Sequence, residues 1–276
     1  MTGAQFTEPR PAPGPAPEAA APLVFITGAS SGIGQALAQQ YAQRGWRLAL
    51  VARRAAQMEA WARAQGLGPD RAAVYAADVG DPDAIAAAGR ECLTRQGLPD
   101  VVIANAGISV GMDTAEREDL DVMRDTLQVN VLGMAATFHP FLAALRERRR
   151  GTLVGIASVA AVRGMPGHGA YCASKAAAVA YCESLRGECR PFGVKVVALL
   201  PGYVATPLTA RNRYPMPFLL TAEAFAQRAL PAIDRGTPRR VIPWPMAIVA
   251  VLLRILPDRL FDRLFAGRGR KHRKHE

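Results

Sequence analysis

Seven short apolar runs, separated by stretches long enough for helices, constrain the fold more than any other feature of this chain. They cover residues 23–27, 47–51, 72–77, 101–104, 152–157, 194–200 and 240–244. Several are apolar almost continuously rather than alternately, the pattern of strands buried on both faces. The connections are mostly about 15–45 residues, enough for a helical crossover, and no internal repeat is found. This alternation predicts an α/β fold: a mainly parallel, seven-stranded sheet with helices on both faces. Half of the 276 residues are hydrophobic and 21% are charged. Such a chain can bury a core without disulfide or metal staples and is not disordered throughout. Residues 1–21, with prolines at 9, 11, 13, 15 and 17, read instead as a disordered Pro/Ala-rich tail without the apolar stretch of a signal peptide. Residues 22–244 read as one domain and 245–276 as a C-terminal extension.

A glycine-rich turn sharpens the reading. Thr27-Gly28-Ala29-Ser30-Ser31-Gly32-Ile33-Gly34 follows the first run and precedes a helical stretch at 35–44. Glycine admits positive φ and a close backbone approach, and unpaired N–H groups at a helix start attract anions. In this strand–turn–helix context the G-x-x-x-G-x-G spacing points to a dinucleotide pyrophosphate and a Rossmann-type, doubly wound sheet. The end of the second run separates the two dinucleotides. A carboxylate about 20 residues past the glycines would hold the ribose 2′-hydroxyl of NAD. Here the segment reads Leu50-Val51-Ala52-Arg53-Arg54. An Asp would repel a 2′-phosphate, whereas an Arg can bind it by two hydrogen bonds. NADP(H) is therefore expected, with Arg53 favoured over Arg54.

Tyr171-Cys172-Ala173-Ser174-Lys175 sets a phenol and an ammonium four residues apart, on one face of a helix. A phenol with its ordinary pKa of about 10 is a poor base at neutral pH. A neighbouring ammonium and an oxidised nicotinamide both favour the phenolate. Tyr171 therefore reads as proton donor and acceptor, and Lys175 as its partner with reach to the nicotinamide ribose. Ser158, thirteen residues upstream and just after an apolar run, could polarise a carbonyl or hold an alcohol.

Together these residues resemble the short-chain dehydrogenase/reductase family over residues 22 to about 244. The resemblance rests on TGASSGIG at 27–34, Asp78-Val79, Asn105-Ala106-Gly107, Asn130-Val131-Leu132-Gly133, Ser158, the Tyr171/Lys175 pair, and Pro201-Gly202 with Thr206. It implies that Gly28, Ser30, Ser31, Gly32, Ile33 and Gly34 form the cofactor turn. Asp78 would bond the adenine amine beside Val79, and Asn105, Ala106 and Gly107 would support the adenosine half. Ser158, Tyr171 and Lys175 would be catalytic, with Asn130 holding a proton-relay water behind Lys175. Val204 and Thr206, after Pro201-Gly202, would cover the nicotinamide. The implied chemistry is hydride transfer between an alcohol and its ketone or aldehyde, without a metal. The alternative from another class is a dinucleotide-binding sensor or scaffold without turnover, against which the filled catalytic positions argue. A further alternative is a cofactor-recycling epimerase or dehydratase, whose relatives usually carry a longer C-terminal substrate domain than the segment after Pro201-Gly202 supplies.

Residues 203–238 read as a substrate loop or lid. Tyr203, Tyr214, Met216, Phe218, Leu219 and Leu220 either line a site for a hydrophobic substrate or pack the lid onto the body. His168, three residues before Tyr171, either lines the pocket or is a loop residue without chemistry, and His139 reads as structural. The resemblance implies a homodimer or homotetramer. The net charge is +11, of which +5 lies in residues 259–276. Residues 246–256 would make a helix of about 16 Å, half the roughly 30 Å hydrocarbon thickness, so a membrane span is not expected. Residues 258–265 put Leu260, Phe261, Leu264 and Phe265 on one face. With the basic run 268–274 they fit an anionic membrane surface, or a cover over the pocket or a partner subunit. No nucleic-acid recognition module is present. Cys92, Cys172, Cys182 and Cys189 have no metal-ligand spacing, so no metal and a reducing, cytoplasmic setting are expected.

Overall fold

A computed structural model of the protein describes residues 20–210, 212, 214–266 and 271–273. The tail expected at 1–21 lies outside these residues apart from Ala20 and Ala21, as do positions 268–270 and 274 of the basic run. The first half of the chain runs β1 (Leu23–Thr27), α1 (Gly32–Gln43), β2 (Arg47–Ala52), α2 (Ala55–Ala64), β3 (Ala72–Ala76), α3 (Pro82–Arg95) and β4 (Val101–Ala104). It continues through α4 (Asp119–Leu127), a wide π-helical turn at Gln128–Leu132, and α5 (Gly133–Arg148). Then come β5 (Gly151–Ile156), α6 (Gly169–Cys189), β6 (Val194–Pro201), β7 (Val204–Ala205) and β8 (Leu220–Thr221). The last elements are α7 (Ala222–Arg235), β9 (Arg239–Ile242), α8 (Pro245–Ile255) and α9 (Asp258–Phe265).

Seven strands form one parallel sheet in the order β3-β2-β1-β4-β5-β6-β9. The chain winds outward both ways from β1 and β4, the Rossmann-type arrangement expected. Side chains alternate across β1. Leu23 and Phe25 enter a core with Ile85 of α3, Phe141 of α5 and Leu185 of α6, while Val24 and Ile26 enter the opposite core with Leu37 of α1, Met58 of α2 and Phe225 of α7. Both faces of β1 are thus buried, which is why its sequence is apolar without interruption. Local signals set the helix starts. Asp81 accepts from the amides of Asp83 and Ala84 ahead of Pro82, and Thr221 accepts from Ala224 N. The continuous helix at 119–148 is long and apolar enough to cross a membrane by composition. It packs against α3 and α6 and buries Asn130, Phe138 and Phe141 as a core helix does.

Three expectations are corrected. α1 begins at Gly32 rather than residue 35, because two of the motif glycines form its first turn. The last strand spans Arg239–Ile242, ending before Pro243, and Trp244 is left 68% exposed. The segment 203–238 is not one lid. Its second half is α7, whose Phe225, Ala226, Ala229 and Leu230 are buried against the body. The loop proper covers the residues between β7 and β8.

The extension closes over the carboxyl end of the sheet. Met246 and Ala250 of α8 pack on Val159, with Tyr203 and Val241 alongside. Arg163 staples it down: its guanidinium donates to Leu253 O (2.7 Å), to Leu256 O and to Asp258, and lies 4.1 Å from the Phe261 ring centre. The outer faces stay uncovered, with Ile248, Val251, Leu252 and Ile255 of α8 and Leu260 and Leu264 of α9 exposed.

Candidate active site

A crevice of about 330 Å³ opens at the carboxyl ends of the strands, where the winding direction changes beside β1 and β4. This is where open α/β sheets bind ligands. Its first wall is the glycine turn. Gly28 (φ 65°) and Gly32 (φ 55°) hold left-handed backbone, and a Cβ on Gly28 would lie 2.8 Å from Ala106 Cα. Gly34 stands behind the lining, where a Cβ would come 2.3 Å from Gly28 O. α1 starts without a capping side chain and without an acid in its first turn, so its leading N–H groups and dipole suit an anion.

Thr27 ties this turn to β4. Its buried hydroxyl donates to Ile103 O (3.4 Å) and accepts from Asn105 N (3.1 Å) and Ala106 N (3.3 Å). Asn105 Nδ2 answers with bonds to Thr27 O (3.0 Å) and Gly28 O (3.2 Å). Arg53 and Arg54 both line the crevice. Arg54 reaches Ser30 Oγ (3.4 Å), while Arg53 lies 3.6 Å from Asp78 in a well-exposed pair. Such a pair is weak in water and leaves Arg53 available to another anion.

Ser158, Tyr171 and Lys175 converge on the same crevice. Ser158 begins the 3₁₀ turn Val159–Ala161, and its Oγ accepts from Ala160 N (3.1 Å). Lys175 is buried. Its Nζ donates to Ile156 O (2.8 Å) and lies 5.8 Å from the Tyr171 ring centre. Burial pulls the Lys175 ammonium down to about 8. Burial also pushes the Tyr171 phenol above its ordinary value, with the Ser158 hydroxyl drawing it part of the way back. With burial the leading influence, the Tyr171 phenol holds its proton at neutral pH.

Asn130 is brought near the site but not into its lining. Its Oδ1 accepts from Ile108 N (2.8 Å), and its Nδ2 donates to Ile108 O (2.9 Å) and Ser174 Oγ (2.9 Å). The link to Lys175 is indirect. A Cβ on Gly107 would lie 3.1 Å from Asn130 Oδ1 and 3.4 Å from Lys175 Nζ, so both groups face that glycine. Val79, Pro201, Gly202, Val204 and Thr206 line the crevice together with Asp78, Asn105, Ala106, Gly107, Ser30, Ser31 and Ile33.

Sequence reasoning missed Thr27, Ser174, Ile108, Val129, Leu208 and Thr209. Thr209 had a readable signal, since the Thr206-Pro207-Leu208-Thr209 run is hydroxyl-rich. Its Oγ1 donates to Val204 O (2.6 Å) and accepts from Thr206 N (3.1 Å), shaping the loop. The rim is aromatic and polar. Tyr214 OH lies 3.4 Å from His168 Nε2, and the Tyr203 and Tyr214 ring centres are 6.2 Å apart.

A family model described as short chain dehydrogenase matches residues 22–216, ending sooner than the resemblance had extended. The chain is 39% identical over 241 residues to an uncharacterized oxidoreductase of Myxococcus xanthus, covering 86% of this chain and 94% of that one. It is 35% identical over 272 residues to dehydrogenase/reductase SDR family member 7B of Bos taurus, covering 91% and 82%. Its fold is similar to that of the short-chain dehydrogenase from Sphingobium yanoikuyae in complex with NADPH. The TM-score is 0.72 at 25% identity, over 84% of this chain and 92% of that one.

Proposed function

The chain belongs to the short-chain dehydrogenase family and is an oxidoreductase of CH–OH and C=O groups, and on that premise we propose that it interconverts a hydrophobic alcohol and its ketone or aldehyde with NADP(H). The carrying observation is the convergence of Ser158, Tyr171 and Lys175 on a crevice that also presents Arg53 and Arg54.

The residues present fit the dinucleotide. The Gly28–Gly34 turn and the uncapped start of α1 would hold the pyrophosphate. Arg54, Arg53 and Ser30 would hold the 2′-phosphate; two arginines and no acid at the end of β2 favour NADPH over NADH. Asp78, Val79 and Asn105–Gly107 would face the adenosine half, and Val204 and Thr206 the nicotinamide. The NADPH bound to the Sphingobium protein supports the same cofactor class.

When bound, the reduced nicotinamide supplies a hydride to the carbonyl carbon. Ser158 holds the carbonyl oxygen. Its Oγ accepts from Ala160 N, and its own proton can rotate to donate to that oxygen. Tyr171 retains its proton at neutral pH and delivers it to the oxygen as alkoxide charge develops. The resulting phenolate is stabilised by the Lys175 ammonium, which Ile156 O keeps in place. Asn130 positions this machinery, fixing the backbone at Ile108 and, through Ser174, helix α6. NADPH oxidation with a panel of apolar ketones and aldehydes tests the assignment. Tyr171→Phe should abolish turnover and leave NADPH binding largely intact; full activity in that variant refutes the role.

The aromatic rim at Tyr203 and Tyr214, with Met216, Phe218 and Leu219 in the adjoining loop, supports an apolar substrate. Exposed Leu120 and Leu132 on the long 119–148 helix support a homodimer or homotetramer. The exposed apolar face of α8 and α9 is flanked by exposed Arg254, Arg259 and Arg263. We assign it to an anionic lipid surface, which would take the apolar face among its chains and the arginines among its headgroups. Four free, buried cysteines are in keeping with a reducing cytoplasmic setting.

A further inference from the structure

Near the end of the chain, residues 271–273 return to the body along the loop after β4. Gly111 N donates to His272 O (2.9 Å), and Gly111 pairs with Arg273 in a parallel bridge. A Cβ on Gly111 would lie 2.1 Å from Lys271 O, so this passage requires glycine. Arg273 Nε donates to Asp119 Oδ2 (2.6 Å), a fully buried carboxylate that also accepts from Asp113 N (2.7 Å). Glu116 stands 3.8 Å from the same guanidinium. A buried carboxylate is costly without a charged partner, so this is a built seat for residues 271–273.

The seat delivers one side chain to the mouth of the site. Lys271 Nζ donates to Ser109 Oγ (2.9 Å) and Leu208 O (3.2 Å). Leu208 lines the crevice, and Ser109 follows Ile108, which also lines it. Both acceptors are neutral, and no carboxylate lies within ion-pair distance of Lys271 among the described residues. Burial lowers this ammonium to about 8, and its charge reaches His168 on the rim beside Tyr214. An ammonium has three N–H donors, of which two are engaged. Among the described residues this half-buried cation has no counter-charge, and at the entrance to a carbonyl-reducing site it can complete an ion pair with an incoming anion.

We propose that Lys271 is a specificity-determining residue whose ammonium binds an anionic group carried by the substrate, making the preferred substrate an amphipathic carbonyl compound with a carboxylate-like oxyanion. This rests on the reading of the crevice as an alcohol/carbonyl site. Residues 271–273 are then a wall of the substrate pocket.

The test uses full-length protein and a series of keto acids from 4-oxopentanoate to 9-oxodecanoate, each against its methyl ester, at neutral pH. At least one acid should exceed its ester in kcat/KM by about tenfold or more, mainly through KM. Lys271→Gln keeps a donor for Ser109 and Leu208 but removes the charge. It should erase the acid preference, bringing each acid and its ester to similar kcat/KM, while Lys271→Arg should retain the preference. A purely structural lysine would lower both rates together. Calorimetric titration of octanoate and methyl octanoate into NADPH-loaded protein reads the site without turnover. Octanoate binding that is lost in Lys271→Gln supports the ion pair even if no carbonyl is reduced, in which case the activity reading alone fails. Efficient reduction of esters without acid preference, or a preference that survives Lys271→Gln, overturns the proposal. So does failure of octanoate to bind more tightly than its ester.

Discussion

Replacing Thr27 by Val tests whether one hydroxyl holds the cofactor turn to the central strands. The two side chains have nearly the same shape, so no cavity is opened. What is lost is the acceptor for Asn105 N and Ala106 N and the donor to Ile103 O. Thr27 itself is fully buried, while Asn105 and Ala106 are partly buried. Each orphaned amide therefore costs near the lower end of the roughly 1–3 kcal/mol expected for an unsatisfied buried group. The sum is about 2–3 kcal/mol, or roughly 5–10 °C in Tm for a domain of this size. Urea unfolding of wild type, Thr27→Val and Thr27→Ser measures it. Thr27→Ser keeps the hydroxyl and should retain most of the stability. NADPH affinity should fall in Thr27→Val as well, because Gly28 and Ala106 are held together through this bond set. A loss below about 0.5 kcal/mol in Thr27→Val, with unchanged NADPH affinity, refutes the reasoning.

Arg54→Ala should weaken NADPH binding by about tenfold or more and leave NADH nearly unaffected, with Arg53→Ala acting in the same direction; fluorescence titration with both cofactors decides it. Lys175 loses its proton near pH 8 in the folded protein and near 10.5 in the unfolded chain. Between those values the unfolded state binds the extra proton, so this group makes stability rise with pH. The pH slope of wild-type stability in urea should exceed that of Lys175→Met across this window, and equal slopes would contradict the burial argument. Full-length protein should co-sediment with anionic vesicles, and a chain ending at Trp244 should not; equal binding by both would remove the lipid assignment.

Most of the sheet was legible because its central strands are buried on both faces and so announce themselves as short apolar runs. The last strand was placed one residue late and extended two residues too far, since Arg239 and Arg240 are exposed at the sheet edge and give no apolar signal. α7 was folded into the lid because nothing local distinguishes a core helix from a covering one. Only its packing against α1 does so. The site was legible where chemistry demands a residue type at a fixed spacing, as in the glycine turn and the Tyr171/Lys175 pair. It was opaque where a contact joins residues far apart in sequence. Thr27 meets Asn105 across 78 residues, and Lys271 meets Ser109 across 162; neither leaves a local pattern. The burial of the Tyr171 ring was equally opaque, because desolvation depends on what surrounds the ring, which spacing does not reveal.

The π-helical turn at Gln128–Leu132 joins two helices that answer to different demands. Upstream of it, α4 must offer Asp119 to the guanidinium of Arg273. Downstream, α5 must send Phe138 and Phe141 into the core. Each residue added to or removed from a helix rotates everything beyond it by about 100°. A one-residue deletion within the turn would therefore swing the two phenylalanines away from the sheet or turn Asn130 off Ile108. Insertions and deletions should be excluded from this stretch far more strictly than point changes. The chain's tolerance for length variation is confined to its outer loops, and drift in register here would disable the enzyme before any reacting group was altered.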